Sequence, residues 1–267
     1  MQTKVRGLFS GYKNMKSEII LKNVCLDFPV YDAESLSFRN KMSDMGKVIV
    51  TKTTKNNSGG KIIEGLRDIN HIFQHGDRVA LLGHNGSGKT TLLKLLAGIY
   101  SPTSGTIKKT GETNCMLDIG FGFEQDATGY ENIILSNITR GLKKEEIDKI
   151  LPEIVEFCGL GEFLNMPFRT YSSGMQARLA FSSAIANTPG ILLIDEFFST
   201  GDLEFSKKSK EKVLEMMSNS SILVFASHDL PLLKTICNKA ICMQNGKVVF
   251  SGEASEVIEH YQGMYER

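Results

Sequence analysis

Residues 78–97 read RVALLGHNGSGKTTLLKLLA, and their reading decides the fold. Arg78, Val79, Ala80, Leu81 and Leu82 form a short apolar run of strand length, and residues 91–97 have the composition of a helix. Between them Gly83-His84-Asn85-Gly86-Ser87-Gly88-Lys89-Thr90 satisfies GxxxxGK[ST], in the strand-before, helix-after context that this motif requires. Glycines let backbone N–H groups curl around phosphate oxygens, and the helix N-terminus adds a favourable dipole. The Lys89 ammonium neutralises β- and γ-phosphates, and the Thr90 hydroxyl is a candidate Mg²⁺ ligand. Gly83, Asn85, Gly86, Ser87, Gly88, Lys89, Thr90 and Thr91 are therefore candidate phosphate ligands. His84 occupies a variable position and reads as exposed loop.

Further along, residues 191–196 read ILLIDE, placing Asp195 and Glu196 at the C-terminal end of an apolar strand, where ligands sit in open α/β sheets. An acidic pair in such a place is common on its own. Coupled to a phosphate loop it acquires roles: Asp195 to hold Mg²⁺ through water, Glu196 to orient and deprotonate the attacking water. Tyr171-Ser172-Ser173-Gly174-Met175-Gln176-Ala177-Arg178 leads into an apolar helical run. A Ser-Gly element at a helix start is either a second anion-binding end or simply an N-cap. A buried strand at 222–226 is followed by Ser227-His228-Asp229.

Taken together these elements resemble the ABC ATPases. The LSGGQ signature of that family matches residues 171–175, with Ser173 and Met175 replacing the usual Gly and Gln. The resemblance implies a RecA-like α/β core, an antiparallel β subdomain and a helical signature subdomain. It also implies that Ser172, Ser173 and Gly174 of one subunit contact ATP bound on another subunit's phosphate loop, so that a head-to-tail homodimer completes the sites. Residues 199–202 match the D-loop at the dimer seam, with Asp202 among the nucleotide-site residues, and His228 matches the switch histidine that contacts the γ-phosphate. The Q-loop position falls on Asp118, a candidate metal residue, with Gln125 nearby but off register. Tyr31 is either the adenine-stacking aromatic or a packed core tyrosine.

The composition sets bounds on the rest. With 31 basic and 30 acidic residues among 267 the formal charge is +1, so there is no electrostatic case for nucleic acid or anionic lipid as a general partner. Cys25, Cys115, Cys158, Cys237 and Cys242 form no CxxC pair and sit mostly among apolar residues, which reads as reduced core thiols in a reducing compartment. No stretch approaches the roughly 18 to 20 apolar residues of a membrane span, and the N-terminus lacks the pattern of a signal peptide. Residues 1–17 read as a tail or an amphipathic segment, 18–267 as the ABC domain, 33–61 as an insertion with a weak helix at Leu36, Phe38, Met42 and Met45, and about 120–180 as the helical subdomain. Residues 19–28 read as a strand that Pro29 stops, and 143–158 as an amphipathic helix kinked by Pro152.

The resemblance spans residues 19–262 and is closest to the ATP-binding subunits of bacterial exporters of O-antigen, capsule or teichoic acid. Phe28-Pro29-Val30-Tyr31-Asp32 with its insertion, and the segments 98–105, 128–132 and 171–175, carry that branch. It implies an ATPase that binds ATP and Mg²⁺ and lies peripherally on the cytoplasmic face of the inner membrane. A separate membrane-spanning subunit would dock around residues 118–135, and the cargo would be a lipid-linked polysaccharide. The chain ends at Arg267 without the C-terminal carbohydrate-binding β-sandwich of some O-antigen subunits, so the expectation is a short form. Rival readings are an ABC subunit for another cargo, a soluble ABC ATPase acting on ribosomes or DNA, and a phosphotransferase, which leaves the signature unexplained.

Overall fold

A computed structural model describes residues 16–30, 53–55, 61–117, 122–186, 190–195 and 203–265. The chain divides into two compact units, Met1–Glu112 with Ser221–Arg267, and Thr113–Ser220.

The first unit holds an antiparallel sheet in the order β2-β3-β1-β5, made of β1 (Glu18–Val30), β2 (Thr53–Lys55), β3 (Lys61–Gln74) and β5 (Ser104–Thr110). Ile19 and Leu21 before the register shift that follows Leu21, and Val24 and Leu26 after it, are buried in β1. Pro29 does not stop this strand: it pairs with Ile62 of β3, and β1 runs on to Val30. The reason is that pairing with β5 ends at Cys25↔Ser104, so beyond it β1 is an edge among the described residues, where a missing N–H is tolerated.

The same unit contains β4 (Arg78–Leu82), parallel to both β8 (Ile222–Ala226) and β9 (Lys239–Gln244), with β10 (Lys247–Glu253) antiparallel to β9. Val79, Ala80 and Leu81 of β4 and every residue of β8 are fully buried, which accounts for their apolar, non-alternating sequences. Helix α1 (Lys89–Ala97) follows β4 and buries Leu92, Leu93, Leu95 and Leu96, each contributing about 1.5–3 kcal/mol of burial. Gly98 closes it in a left-handed conformation, its N–H reaching the Leu95 and Lys94 carbonyls.

The second unit carries the parallel pair β6 (Thr113–Met116) and β7 (Ile191–Asp195) and the helices α2 (Gly129–Thr139), α3 (Lys144–Cys158), α4 (Ser173–Ile185) and α5 (Leu203–Asn219). Short 3-10 turns at Gly161–Asn165 and Phe168–Thr170 lead into α4. Helix α3 spans the predicted stretch with Pro152 inside it. Ile133, Ile154, Cys158, Leu164, Phe168, Tyr171 and Leu179 form the core of this unit. The first unit ends with α6 (Leu230–Ile236) and α7 (Ala254–Tyr265).

None of the five cysteines is in a disulfide. Burial pushes the Cys237 thiol up to about 12 and also raises those of Cys158 and Cys242, so these three stay protonated and unreactive. Residues 1–15 lie outside the described residues, as do those of 33–61 apart from Thr53–Lys55 and Lys61; the amphipathic segment and the helix at Leu36 to Met45 fall there.

Candidate nucleotide site

In the first unit the chain leaves the buried end of β4 at Gly83, whose φ is 147°. A Cβ there would come within 2.4 Å of both the Met243 carbonyl and Ser87 Oγ, so only glycine starts this loop. Gly86 and Gly88, with φ of 79° and 109°, complete the curl, while Ser87 N–H donates to the His84 carbonyl at 3.1 Å. Leu92 N–H donates to the Gly88 carbonyl at 2.8 Å and opens α1. Inside the curl Lys89 Nζ donates to the carbonyls of Gly83 at 2.6 Å and His84 at 3.2 Å. Ser87 is fully buried and its Oγ has no hydrogen-bond partner. A cation in a glycine curl at a helix N-terminus, beside an orphaned buried hydroxyl, fits phosphate oxygens. Asn85, Gly86 and Thr90 are exposed and Thr91 is half-buried. His84 is half-buried rather than exposed, its Nδ1 2.7 Å from the Asn85 carbonyl, which makes Nδ1 the protonated nitrogen.

The loop rests on parts of the chain that its motif does not mention. Asn245 and Gly246, with φ of 49° and 75°, form the two-residue turn between β9 and β10. Gly246 N–H donates to the Ser87 carbonyl at 2.9 Å, and Arg67 N–H of β3 donates to the Gly246 carbonyl at 2.8 Å. A Cβ on Gly246 would approach the Gly65 carbonyl to 2.6 Å, and one on Gly88 would lie 3.3 Å from Gly246 Cα. Gly88 and Gly246, far apart in sequence, thus let the phosphate loop, the β9–β10 turn and the Gly65 carbonyl of β3 come into backbone contact. Sequence reasoning missed Gly65 and Gly246; the available signal was the Asn-Gly pair between two strand-like runs.

His228 belongs to the same unit. Strand β8 lies directly beside β4, with Leu81 opposite Ala226, so the phosphate loop and Ser227-His228 leave the same end of the sheet. Ser227 Oγ accepts from Asp229 N–H at 3.1 Å, and the Asp229 carboxylate caps α6 by accepting from Leu232 N–H at 3.0 Å. His228 itself is exposed.

In the second unit Asp195 is the last, half-buried residue of β7. Ser172 is an N-cap, its hydroxyl accepting from Met175 N–H at 3.2 Å, and both Ser172 and Ser173 are exposed. The helix start still leaves first-turn N–H groups without intrahelical partners, so the cap does not exclude anion binding. Around Gly174 a Cβ would meet only Ser172 Oγ, at 4.0 Å. Tyr171 is buried beneath them and donates from its hydroxyl to the Phe163 carbonyl at 2.6 Å. Tyr31, Asp118, Glu196 and Asp202 lie outside the described residues. Among the described residues no group of three or more His, Cys, Asp or Glu is placed to hold a metal ion. Mg²⁺ does not require one, because it is commonly held by one or two protein oxygens with phosphates and water.

A buried strand, glycine curl, lysine and helix in this arrangement define a P-loop nucleotide-binding protein of the α/β class. The model of the ABC transporter family matches residues 66–199. The O-antigen export system ATP-binding protein RfbE of Yersinia enterocolitica is 40% identical over 237 residues, covering 87% of this chain and 96% of that protein. The teichoic acids export ATP-binding protein TagH of Listeria innocua is 36% identical over 240 residues, covering 90% of this chain and 70% of that one. The O-antigen export system ATP-binding protein RfbB of Myxococcus xanthus is 42% identical over 201 residues, 75% of this chain and 46% of its own length. An ATP-binding subunit of an ABC transporter matches in structure with a TM-score of 0.64 at 20% identity, covering 91% of this chain and 93% of its own. A dimeric ATP-binding cassette in a post-hydrolysis state with ADP and Pi matches at 0.60 and 22%, covering 88% and 98%; both show the fold. The chain belongs to the ABC transporter family. Membership makes it an ATPase coupled to transport.

Proposed function

We propose that this chain hydrolyses ATP to power export of a lipid-linked polysaccharide, of the O-antigen or capsule type, across the bacterial inner membrane. It acts as a homodimer on the cytoplasmic face with a separate membrane-spanning subunit. The observation that carries the ATP chemistry is Lys89 Nζ held by the Gly83 and His84 carbonyls inside the glycine curl. Support for the cargo comes from relatives named for O-antigen and teichoic acid export. Among the described residues no helix is long and apolar enough to cross a membrane, and the proposal assigns the pathway to the partner subunit.

Residues 18–267 form the nucleotide-binding domain, with 1–17 as a tail, 33–61 as an insertion and about 120–180 as its helical part. Lys89 exchanges the two loop carbonyls for phosphate oxygens, a gain that the helix N-terminus reinforces. Thr90, Asp195 and Asp118 would hold Mg²⁺, which would supply neutralisation of phosphate charge. Glu196 takes the proton of the attacking water as its oxygen bonds to the γ-phosphorus and the bond to the β-phosphate oxygen breaks, giving ADP and inorganic phosphate. His228 holds the γ-phosphate, Tyr31 stacks on adenine, and Asp202 lies at the dimer seam. Gly174 favours the dimer reading: among the described residues a Cβ there would meet only Ser172 Oγ, at 4.0 Å. An approaching second nucleotide-bearing subunit supplies the missing reason for its small size.

The cargo is tested by deleting the gene and locating the glycan. Undecorated glycan accumulating inside the cell is expected, whereas normal surface display contradicts the assignment. In purified protein Glu196→Gln is expected to trap an ATP-bound dimer; hydrolysis at the wild-type rate would remove Glu196 from the role of base.

A further inference from the structure

In the second unit the side chain of Asn132 meets four main-chain groups. It is fully buried in α2, and its amide oxygen accepts from Glu124 N–H at 2.7 Å. Its amide nitrogen faces the carbonyls of Glu124 at 2.9 Å, Thr128 at 3.1 Å and Ala127 at 3.2 Å. One side chain therefore fixes the backbone of residues 124–128 at several points. That segment is in turn laid against the chain that enters the signature. Thr128 bridges Pro167 in antiparallel fashion, Phe168 N–H donates to the Ala127 carbonyl at 2.8 Å, and Arg169 N–H donates to the Gln125 carbonyl at 2.9 Å. Outside this backbone pairing, Arg169 Nη1 lies 2.5 Å from Asp126 Oδ1. Residues 167–169 then run directly into Tyr171 and the capping Ser172. Tyr171 closes the arrangement, since a Cβ on Gly129, at the start of α2, would meet its hydroxyl oxygen at 2.3 Å.

We infer that Asn132 is a positioning residue for the signature half-site, acting through the pairing of residues 124–128 with 167–169. The amide holds one ribbon of this two-ribbon pairing, and the second ribbon sets where Ser172 and Gly174 stand. The inference rests on the proposed reading that the signature closes on a nucleotide held by another copy. It separates two quantities that a general loss of stability does not separate. Nucleotide affinity of the phosphate loop is untouched because Lys89 and its glycines belong to the other unit, while turnover falls because the signature no longer meets the γ-phosphate in register.

The experiment uses the full chain at a temperature well below its melting point, with Kd for Mg-ATP and kcat for hydrolysis measured separately. Asn132→Asp is isosteric, keeps the acceptor and removes the donor that serves the loop carbonyls. It is expected to leave Kd within about twofold and to lower kcat about tenfold or more, the scale of a small misplacement at a reacting centre. Arg169→Ala removes only the exposed ion pair and is expected to cost about two- to threefold in kcat alone, the size of a surface pair. Asp126→Arg combined with Arg169→Asp is expected to restore it. Wild-type kcat in folded Asn132→Asp, or equal loss of Kd and kcat, would make Asn132 a stability residue only and overturn the inference. Should Asn132→Asp fail to fold, the Arg169 series decides: unchanged kcat in Arg169→Ala, or no recovery in the swapped pair, overturns it. A wild-type chain that binds Mg-ATP without hydrolysing it refutes the proposed function instead, so the two failures are told apart.

Discussion

The phosphate loop and the signature are built in opposite ways. The first is backbone against backbone: Gly65, Gly83, Gly88 and Gly246 stand where a methyl group would strike a carbonyl, a side chain or another main chain. The second is held by side chains: the Asn132 amide, the Tyr171 hydroxyl and the Ser172 cap set the position of a helix start around which there is room to spare. The difference teaches how each half fails. A backbone-built site breaks when an atom is added, and a side-chain-built site breaks when one is removed. The first kind of damage lowers affinity for nucleotide; the second lowers turnover or stability and leaves binding in place.

The sharpest break in this comparison is Gly246→Ala. The added methyl meets the Gly65 carbonyl at 2.6 Å on a backbone with φ of 75°. A loss of about 1–3 kcal/mol in unfolding free energy and about tenfold in Mg-ATP affinity is expected, read by denaturant melts and calorimetry. Gly76→Ala supplies the comparison, because φ there is 93° with nothing within 4 Å of the new Cβ. It should lose stability without losing nucleotide affinity. Equal affinities in the two variants would separate the β9–β10 turn from the site.

Smaller is the effect of Tyr171→Phe, which keeps the ring and deletes the bond from the hydroxyl to the Phe163 carbonyl. Unfolding stability should drop by about 1–2 kcal/mol, with the Kd for Mg-ATP unchanged. A weakened Kd would show that the two halves are not built independently.

The smallest effect concerns the start of α2. Thr128 and Glu131 form a capping box, and hydrogen bonds from the Thr128 N–H and hydroxyl hold the Glu131 carboxyl below the usual glutamate range. A depressed folded value means that the stabilisation is present above the unfolded value of about 4.3 and is lost as pH falls through the folded value. The difference in melting temperature between wild type and Glu131→Gln should therefore be present at pH 6 and shrink on acidification below about pH 4. A difference independent of pH would assign the cap to shape alone.

Much of the first half was legible because its motif is local. The loop at 83–90 is bracketed by a strand and a helix whose apolar runs are continuous, and β7 and β8 announced themselves in the same manner. What escaped was contact between residues distant along the chain. Strand β3 carries Gly65, Asp68 and Asn70 among its apolar residues and pairs with β1 through register shifts at Leu21/Val24 and Val24/Leu26, so no simple alternation marks it. Pro29 was expected to end β1 because its missing N–H is visible in sequence, whereas the end of β5 pairing at Cys25 is not. His84 was expected to be exposed, but its ring folds onto the neighbouring Asn85 carbonyl. Asn132 carries no such sign in sequence, since an amide that binds carbonyls of the preceding loop leaves no periodic trace.

The central claim is that each chain carries two halves of different sites, and a mixing experiment measures it. Lys89→Ala disables the phosphate loop. Gly174→Asp puts a like charge where phosphate would approach, at a helix start that has space for it and favours an acid. Each purified variant should be folded and nearly inactive in ATP hydrolysis. In an equal mixture half the dimers are mixed and each holds one intact site, so activity should return to about one quarter of wild type. A mixture as inactive as its components, or a Gly174→Asp chain that hydrolyses ATP normally by itself, would contradict the account.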